Sequence, residues 1–440
     1  MVLRVLRPIV FLAAAIWRRL LRRTFFIAIT GSLGKTTAKE CLAAVLSTQA
    51  RTFGSVGTQN AGRLLSLNLL RVRPWHRFAV IELGTRSPGE LARSSMQVRP
   101  DLAIVLGVAP THTRNYASLD EIAAEKMQIL RGLRPGGSVI LNGDDPHLRG
   151  VPIPTHCRVA RFGNSPDTSL RAESIASDWP GRLTFRAVAE DTAAQVRTRL
   201  LGTHWVPSIL ATLLAARHCG IDLTEAADAI GTVPPSRGRL EPVELPNGAV
   251  IVRDEYNASP YSYEAALAVL QQARNQRRIA VLGDMTDNKD KVKRRLRKLG
   301  RRVATLCDVA VFVGPNAHHA RAGAIAAGMP ESAVLCSPHA AAASAVLQRE
   351  LRAGDVVLVK GWTSLHLERL TFAQVGTVGC WMPNCLKRIQ CDVCWKLSLT
   401  SRELATLRPF DGSSHSAASI ECVDTPVPRA PAEKPQAGSR

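Results

Sequence analysis

Short apolar runs rich in β-branched residues recur along this chain. They alternate with longer stretches whose apolar positions repeat every three or four residues. The runs predict strands at Phe25–Thr30, Phe78–Leu83, Leu102–Val108, Ser138–Asn142, Ile279–Asp284, Ala310–Gly314 and Val356–Lys360. The longer stretches predict helices at Thr37–Leu46, Leu119–Leu130, Pro207–Cys219, Tyr261–Arg274 and His339–Arg352. This alternation predicts an α/β fold of parallel sheets covered by helices. A break at "PPSRGRLEPVELPNG" (Pro234–Gly248) divides the pattern into a domain over 25–240 and a smaller one over 241–375. No internal repeat is evident.

Both ends depart from the pattern. The start, "MVLRVLRPIVFLAAAIWRRLLRR", has ten apolar-run residues, Pro8–Trp17. A bilayer span needs about 20, and Arg18-Arg19 stand where a signal peptide would place small residues. Arginines on both sides of Leu, Ile, Phe and Trp predict a basic amphipathic segment over 1–24. It is expected to lie against an anionic leaflet or, alternatively, to pack on the protein body. From Ser398 the chain is rich in Ser, Pro, Ala and Thr, which predicts a disordered tail over 398–440.

The chain has 440 residues and a net charge of +21, which raises nucleic acid and anionic membranes as partners. The basic residues are mostly scattered. Only Arg18-Arg19 with Arg22-Arg23, Lys291–Arg302 and Lys387-Arg388 form clusters, and aromatic residues make up 5%. That favours a generally basic surface over specific nucleic-acid binding. Of ten cysteines, Cys41, Cys157, Cys219, Cys307, Cys336 and Cys422 are scattered, as thiols of a reducing compartment are. Cys380, Cys385, Cys391 and Cys394 fall within fifteen residues. Four thiolates so spaced predict a knuckle over 376–397 around a structural Zn²⁺, with an Fe–S cluster, free thiols or paired disulfides as alternatives.

The stretch "FFIAITGSLGKTT" carries the chemistry. A strand runs into a glycine loop and then a helix, so backbone N–H groups of Gly31, Ser32 and Gly34 can turn toward phosphate oxygens. Lys35 is placed to neutralise β- and γ-phosphate charge, and Thr36, followed by Thr37, to offer a hydroxyl to Mg²⁺. Glu82 ends the predicted strand "FAVIEL", His112 follows "LAIVLGV", and Lys126 lies fourteen residues beyond His112. Singly these are a capping carboxylate, a loop histidine and a surface lysine. At the C-terminal edge of one parallel sheet they converge on one crevice.

The set resembles the Mur ligase family, ATP-dependent enzymes that join amino acids or dipeptides to peptidoglycan precursors. Its short glycine loop ends in Gly-Lys-Thr-Thr, as Gly34–Thr37 do. The resemblance implies that Glu82 and His112 bind Mg²⁺ and that Lys126 is carbamylated, its carbamate an anionic ligand for a second Mg²⁺. "ELGTRSPGE" (Glu82–Glu90), "NGDDP" (Asn142–Pro146), "GRLEPV" (Gly238–Val243) and "DEYNASPYS" (Asp254–Ser262) are similar to motifs of the D-alanyl-D-alanine-adding branch. "VLGDM" and "GDVVLVKGW" follow in the family's order, and the likeness covers roughly Phe25 to Leu370. It implies a P-loop-type ATPase domain, a Rossmann-like C-terminal domain, and nucleotide contacts from Asn257 and Asp284. Three places depart from the family. "GTHWVPS" keeps His204 but has Trp205 and Ser208 for asparagines, Arg253-Asp254 replaces a double aspartate, and Thr286-Asp287-Asn288 replaces glutamate-leucine-glycine.

The family's first, UDP-binding domain, about a hundred residues, has no counterpart before Phe25. The expected function is therefore ATP-dependent amide formation through an acyl phosphate on an envelope or peptide precursor. The carboxylate is small-molecule or lipid-linked, the amine an amino acid or dipeptide, and the place the cytoplasm or the inner face of the plasma membrane. Two alternatives are an ATP-using subunit of a lipid-linked precursor amidotransferase and a membrane-associated ATP-binding scaffold.

Overall fold

The computed structural model describes residues 2–411, apart from 58, 86, 111–114, 156, 287–290, 383–384 and 386–390. A first sheet is formed by β1 (Phe25–Thr30), β2 (Thr52–Gly54), β3 (Phe78–Glu82), β4 (Leu102–Val105), β5 (Ser138–Asn142) and β6 (Arg158–Phe162). All pair in parallel, in the order β2-β3-β1-β4-β5-β6. Every residue of β3 and β4 is buried, because helices cover both faces; that is why these strands read as continuous apolar runs. The order reverses at β1, leaving a crevice above the C-terminal ends of β1, β3 and β4.

The sequence pattern did not predict β7 (Arg171–Ala176), β8 (Thr184–Val188) and β9 (Ala193–Arg197), a small antiparallel sheet. A second large sheet follows, from β10 (Glu241–Glu244), β11 (Val250–Asp254), β12 (Arg278–Leu282), β13 (Val309–Val313), β14 (Val334–Ser337), β15 (Val356–Lys360) and β16 (Arg408–Pro409). Its order is β14-β13-β12-β15-β11-β10-β16, with β10 antiparallel to both neighbours.

The C-terminal end differs from expectation in its described part, residues 412–440 lying outside the described residues. Residues 398–411 are ordered rather than disordered. Thr400 and Glu403 form a reciprocal cap on a short helix, and β16 then adds to the edge of β10. Phe410 is buried, with its ring 5.4 Å from Trp179 and its carbonyl accepting from Arg182. One buried aromatic and one edge-strand pairing outweigh a polar composition. At the other end, helix α1 (Val2–Leu20) packs one side on the body through Ala14, Trp17 and Arg18, with Leu21 buried just beyond it. Trp17 Nε1 donates to Val72 O at 2.8 Å, and Arg18 donates to the carbonyls of Val98 and Arg99. Its opposite side exposes Ile9, Leu12, Ile16 and Leu20, each 50–63% accessible. No helix among the described residues is long and apolar enough to cross a membrane.

Candidate functional site

Helix α2 (Lys35–Gln49) starts directly from the glycine loop. Gly34 is its N-cap, at φ 77°, and a Cβ there would lie 2.1 Å from Ser208 Oγ. Glycine is therefore required twice, for the left-handed backbone and for the close approach of Ser208. That contact explains one departure at "GTHWVPS": the serine packs directly on the loop. No side chain caps α2, so its first N–H groups remain available to an anion. The loop is tied to β4 by Ser32 N–H donating to Gly107 O at 2.9 Å.

Lys35 is folded back on this loop, donating to Gly31 O at 2.6 Å and Ser32 O at 3.4 Å. Burial pushes its pKa down, the Glu82 carboxylate opposes this, and Arg239 adds to it. Glu82 is 2% exposed, and both its oxygens are engaged. Thr36 Oγ1 donates to Oε2 at 2.9 Å and Asn60 Nδ2 to Oε1 at 2.8 Å. Buried Lys39 fixes the loop bearing Asn60, donating to Ser55 O at 2.7 Å and Gly57 O at 3.3 Å.

Lys126 lies near the end of helix α3 (Leu119–Met127), buried and with no hydrogen-bond partner among the described residues. Burial, then the charge of Lys35, push its pKa down to about 7. Its neighbour Glu125 sets the helix in place by accepting from Thr85 Oγ1, Gly89 N and Leu91 N. Glu125 thereby caps the helix that follows the "ELGTRSPGE" stretch. The sequence reading missed both Glu125 and Asn60, because their roles come from contacts between loops rather than from a local pattern. His112 lies outside the described residues.

From the second sheet, Lys360 at the end of β15 is fully buried. It donates to Asp254 Oδ2 at 2.5 Å and Asn257 O at 2.8 Å, fixing the "DEYNAS" turn. Asn257 Oδ1 accepts from Ser259 N. Arg239 lies 4.5 Å over the Tyr256 ring and within the fields of both Lys35 and Lys360. Asp284 is held in a two-point pair with Arg295 at 2.8 and 2.5 Å.

Arg253, the departure from the double aspartate, is buried between Glu255 (2.7 Å), Asp392 (3.0 Å) and Glu241 (3.3 Å). Asp392 comes from the cysteine-rich segment, so that segment neutralises the substituted arginine. Asp392→Ala is expected to destabilise the chain by about 2–3 kcal/mol, because it leaves a buried cation short of one partner. In a denaturant-unfolding cycle with Arg253→Ala, the two losses should fall short of additive by about 1 kcal/mol or more.

The four clustered cysteines do not gather around one point. Among the described residues, the one group of three possible metal ligands is His366, Glu368 and Cys391. The expectation of a single site built from Cys380, Cys385, Cys391 and Cys394 is corrected accordingly. Cys391 Sγ is turned to His366 Nδ1, at 3.4 Å.

Two family models match the chain, the Mur ligase middle domain over residues 29–216 and the Mur ligase glutamate ligase domain over 238–362. A UDP-N-acetylmuramoyl-tripeptide–D-alanyl-D-alanine ligase of Mycobacterium tuberculosis H37Rv is 30% identical over 378 residues, covering 80% of this chain and 73% of the relative. The Escherichia coli K12 protein of that name is 31% identical over 263 residues, 59% of this chain and 58% of the relative. Among solved structures, MurF of Acinetobacter baumannii aligns with a TM-score of 0.75 at 27% identity, covering 83% of this chain and 79% of the other.

Proposed function

The chain belongs to the Mur ligase family of ATP-dependent, ADP-forming amide ligases, and on that premise we propose that it couples a dipeptide amine of the D-alanyl-D-alanine class to the peptide carboxylate of a muramoyl-type precursor. The observation that carries this reading is one crevice holding Lys35, Thr36, Glu82 and Lys126, faced by Arg239 and the Lys360–Asp254–Asn257 cluster.

The donor set fits Mg²⁺. A buried carboxylate and a hydroxyl in contact with it are hard oxygen ligands at the end of the phosphate loop. Thr36, Glu82 and His112 would hold the ion, which when bound neutralises phosphate charge. Lys35 leaves its loop carbonyls for the β- and γ-phosphates, and the uncapped start of α2 takes further phosphate oxygens. Arg239 lies where positive charge assists transfer to the substrate carboxylate. The acyl phosphate is then attacked by the amine, giving amide, ADP and phosphate, with catalysis resting on position and charge. Asn257 is assigned to the adenine and Asp284 to the nucleotide, which requires Asp284 to exchange its Arg295 partner. Lys126, with its pKa near 7, is the lysine to carry a carbamate, since only the neutral amine adds CO₂.

Phosphate release by the purified chain tests this, with Mg²⁺, bicarbonate and a carboxylate–amine pair. Release that requires both a muramoyl-tripeptide and D-alanyl-D-alanine is the expected result. Release supported only by ammonia would transfer the assignment to an amidotransferase subunit, and ATP binding without acceptor-dependent release to a scaffold. UDP-linked and lipid-linked tripeptides, run side by side, identify the carrier.

A membrane contact is supported separately by the exposed stripe Ile9, Leu12, Ile16 and Leu20, which ends beside exposed Arg19, Arg22 and Arg23. An apolar ridge with a basic end matches the surface of an anionic leaflet. The chain should co-sediment with phosphatidylglycerol vesicles and be released by salt. Leu12→Glu with Ile16→Glu should weaken binding about tenfold or more. Equal binding to zwitterionic vesicles, or none, would remove the membrane from the reading.

A further inference from the structure

His366, Glu368 and Cys391 are each 4–5% exposed, and their ligand atoms lie within 4.8 Å of one another. His366 Nε2 faces the Cys385 carbonyl at 3.4 Å, an acceptor for a proton on that nitrogen. Nδ1 faces two further electron-rich atoms, Glu368 Oε1 at 3.0 Å and Cys391 Sγ at 3.4 Å. Atoms so placed repel unless a proton or a metal cation lies between them. His366 is held there at φ 50°, a left-handed backbone that is strained for a non-glycine residue.

The separations suit a tetrahedral ion. With metal–nitrogen and metal–oxygen distances near 2.0–2.1 Å and metal–sulfur near 2.3 Å, ligand atoms stand about 3.3–3.6 Å apart. The nitrogen–sulfur distance is already in that range, and the nitrogen–oxygen distance needs to open by only a few tenths. One thiolate, one imidazole and one carboxylate are donors of the mixed character that Zn²⁺ accepts. The outer contacts are also present: the Cys385 carbonyl on His366, and the Cys391 N–H on Glu368 at 3.2 Å. Arg369 Nε, 3.2 Å from Sγ, adds positive charge, while Glu255 and Asp392 lie in the same buried region.

We propose that His366, Glu368 and Cys391 bind one Zn²⁺, clamping the cysteine-rich segment onto the chain just beyond β15. Binding exchanges the thiol proton of Cys391, released to solvent, for a sulfur–zinc bond. None of the three ligands belongs to the crevice residues, and the proposal does not depend on the substrate.

Metal analysis of the full chain, purified without chelator, tests it. The wild type should carry about one zinc per chain, falling to about a tenth or less in His366→Gln and Cys391→Ser and persisting in Cys380→Ser. A zinc-edge absorption spectrum of the wild type, which needs no variant to fold, should show one sulfur among lighter ligands. Four sulfurs in the shell, or full zinc in His366→Gln, would return the metal to the four cysteines and overturn the proposal. Zinc-free protein that also fails to take up added Zn²⁺ would overturn it too, leaving an imidazolium–carboxylate pair.

Discussion

Lys35→Ala is expected to lower acceptor-dependent phosphate release about 10³-fold, the range seen when a preorganised charge donor is removed from a transferring group. Stability should change little. The ammonium gives up two hydrogen bonds to loop carbonyls, but it was held in a site whose burial disfavours its charge. Because the folded pKa is lowered, the unfolded chain binds more protons in the alkaline range. Stability therefore rises with pH between the folded and unfolded pKa values of Lys35, and the variant should lose that rise. Steady-state kinetics and thermal midpoints at neutral and alkaline pH measure both effects. A rate loss below about tenfold would mean that the γ-phosphate is held elsewhere.

Lys126→Ala should cost about 10²–10³-fold in kcat and abolish any response to bicarbonate. In the wild type, with the lysine at about pKa 7, roughly half of it is neutral at pH 7 and about a tenth at pH 6. Carbamate formation draws on the neutral form, so activation by bicarbonate should weaken as pH falls through 7. Assays from pH 6 to 8, with CO₂ depleted and then restored, test this directly. A bicarbonate response that survives in Lys126→Ala would assign the effect to another group.

Much of the fold can be read from the sequence because its strands are buried on both faces. Phe25–Thr30, Ser138–Asn142 and Val356–Lys360 have the predicted bounds, and the other predicted strands differ by a few residues at their ends. The small sheet of β7, β8 and β9 escaped because one face meets solvent. Glu173, Arg186 and Gln195 interrupt the apolar pattern there. β11 escaped because Arg253 and Asp254, both buried, look like loop residues until their partners are known. In the crevice, Lys35, Thr36 and Glu82 were legible as residues at strand ends. Asn60 and Glu125 were not, since only the fold brings them to Glu82 and to the start of the next helix. The cysteine spacing drew attention to this segment but not to the residues that Cys391 meets. His366 and Glu368 lie 25 and 23 residues before Cys391, with no spacing rule to connect them.

The pairing of Arg253 with Asp392 also constrains how this chain can have diverged from its relatives. A buried arginine at 253 without the carboxylate from the later segment is a defective intermediate, and so is an aspartate at 253 facing Asp392, Glu255 and Glu241. Neither substitution is a neutral first step. Arg253 and Asp392 are expected to change together. A relative with arginine at this place should therefore carry an acidic residue beyond its last central strand, and one that lacks the segment should retain an acid there.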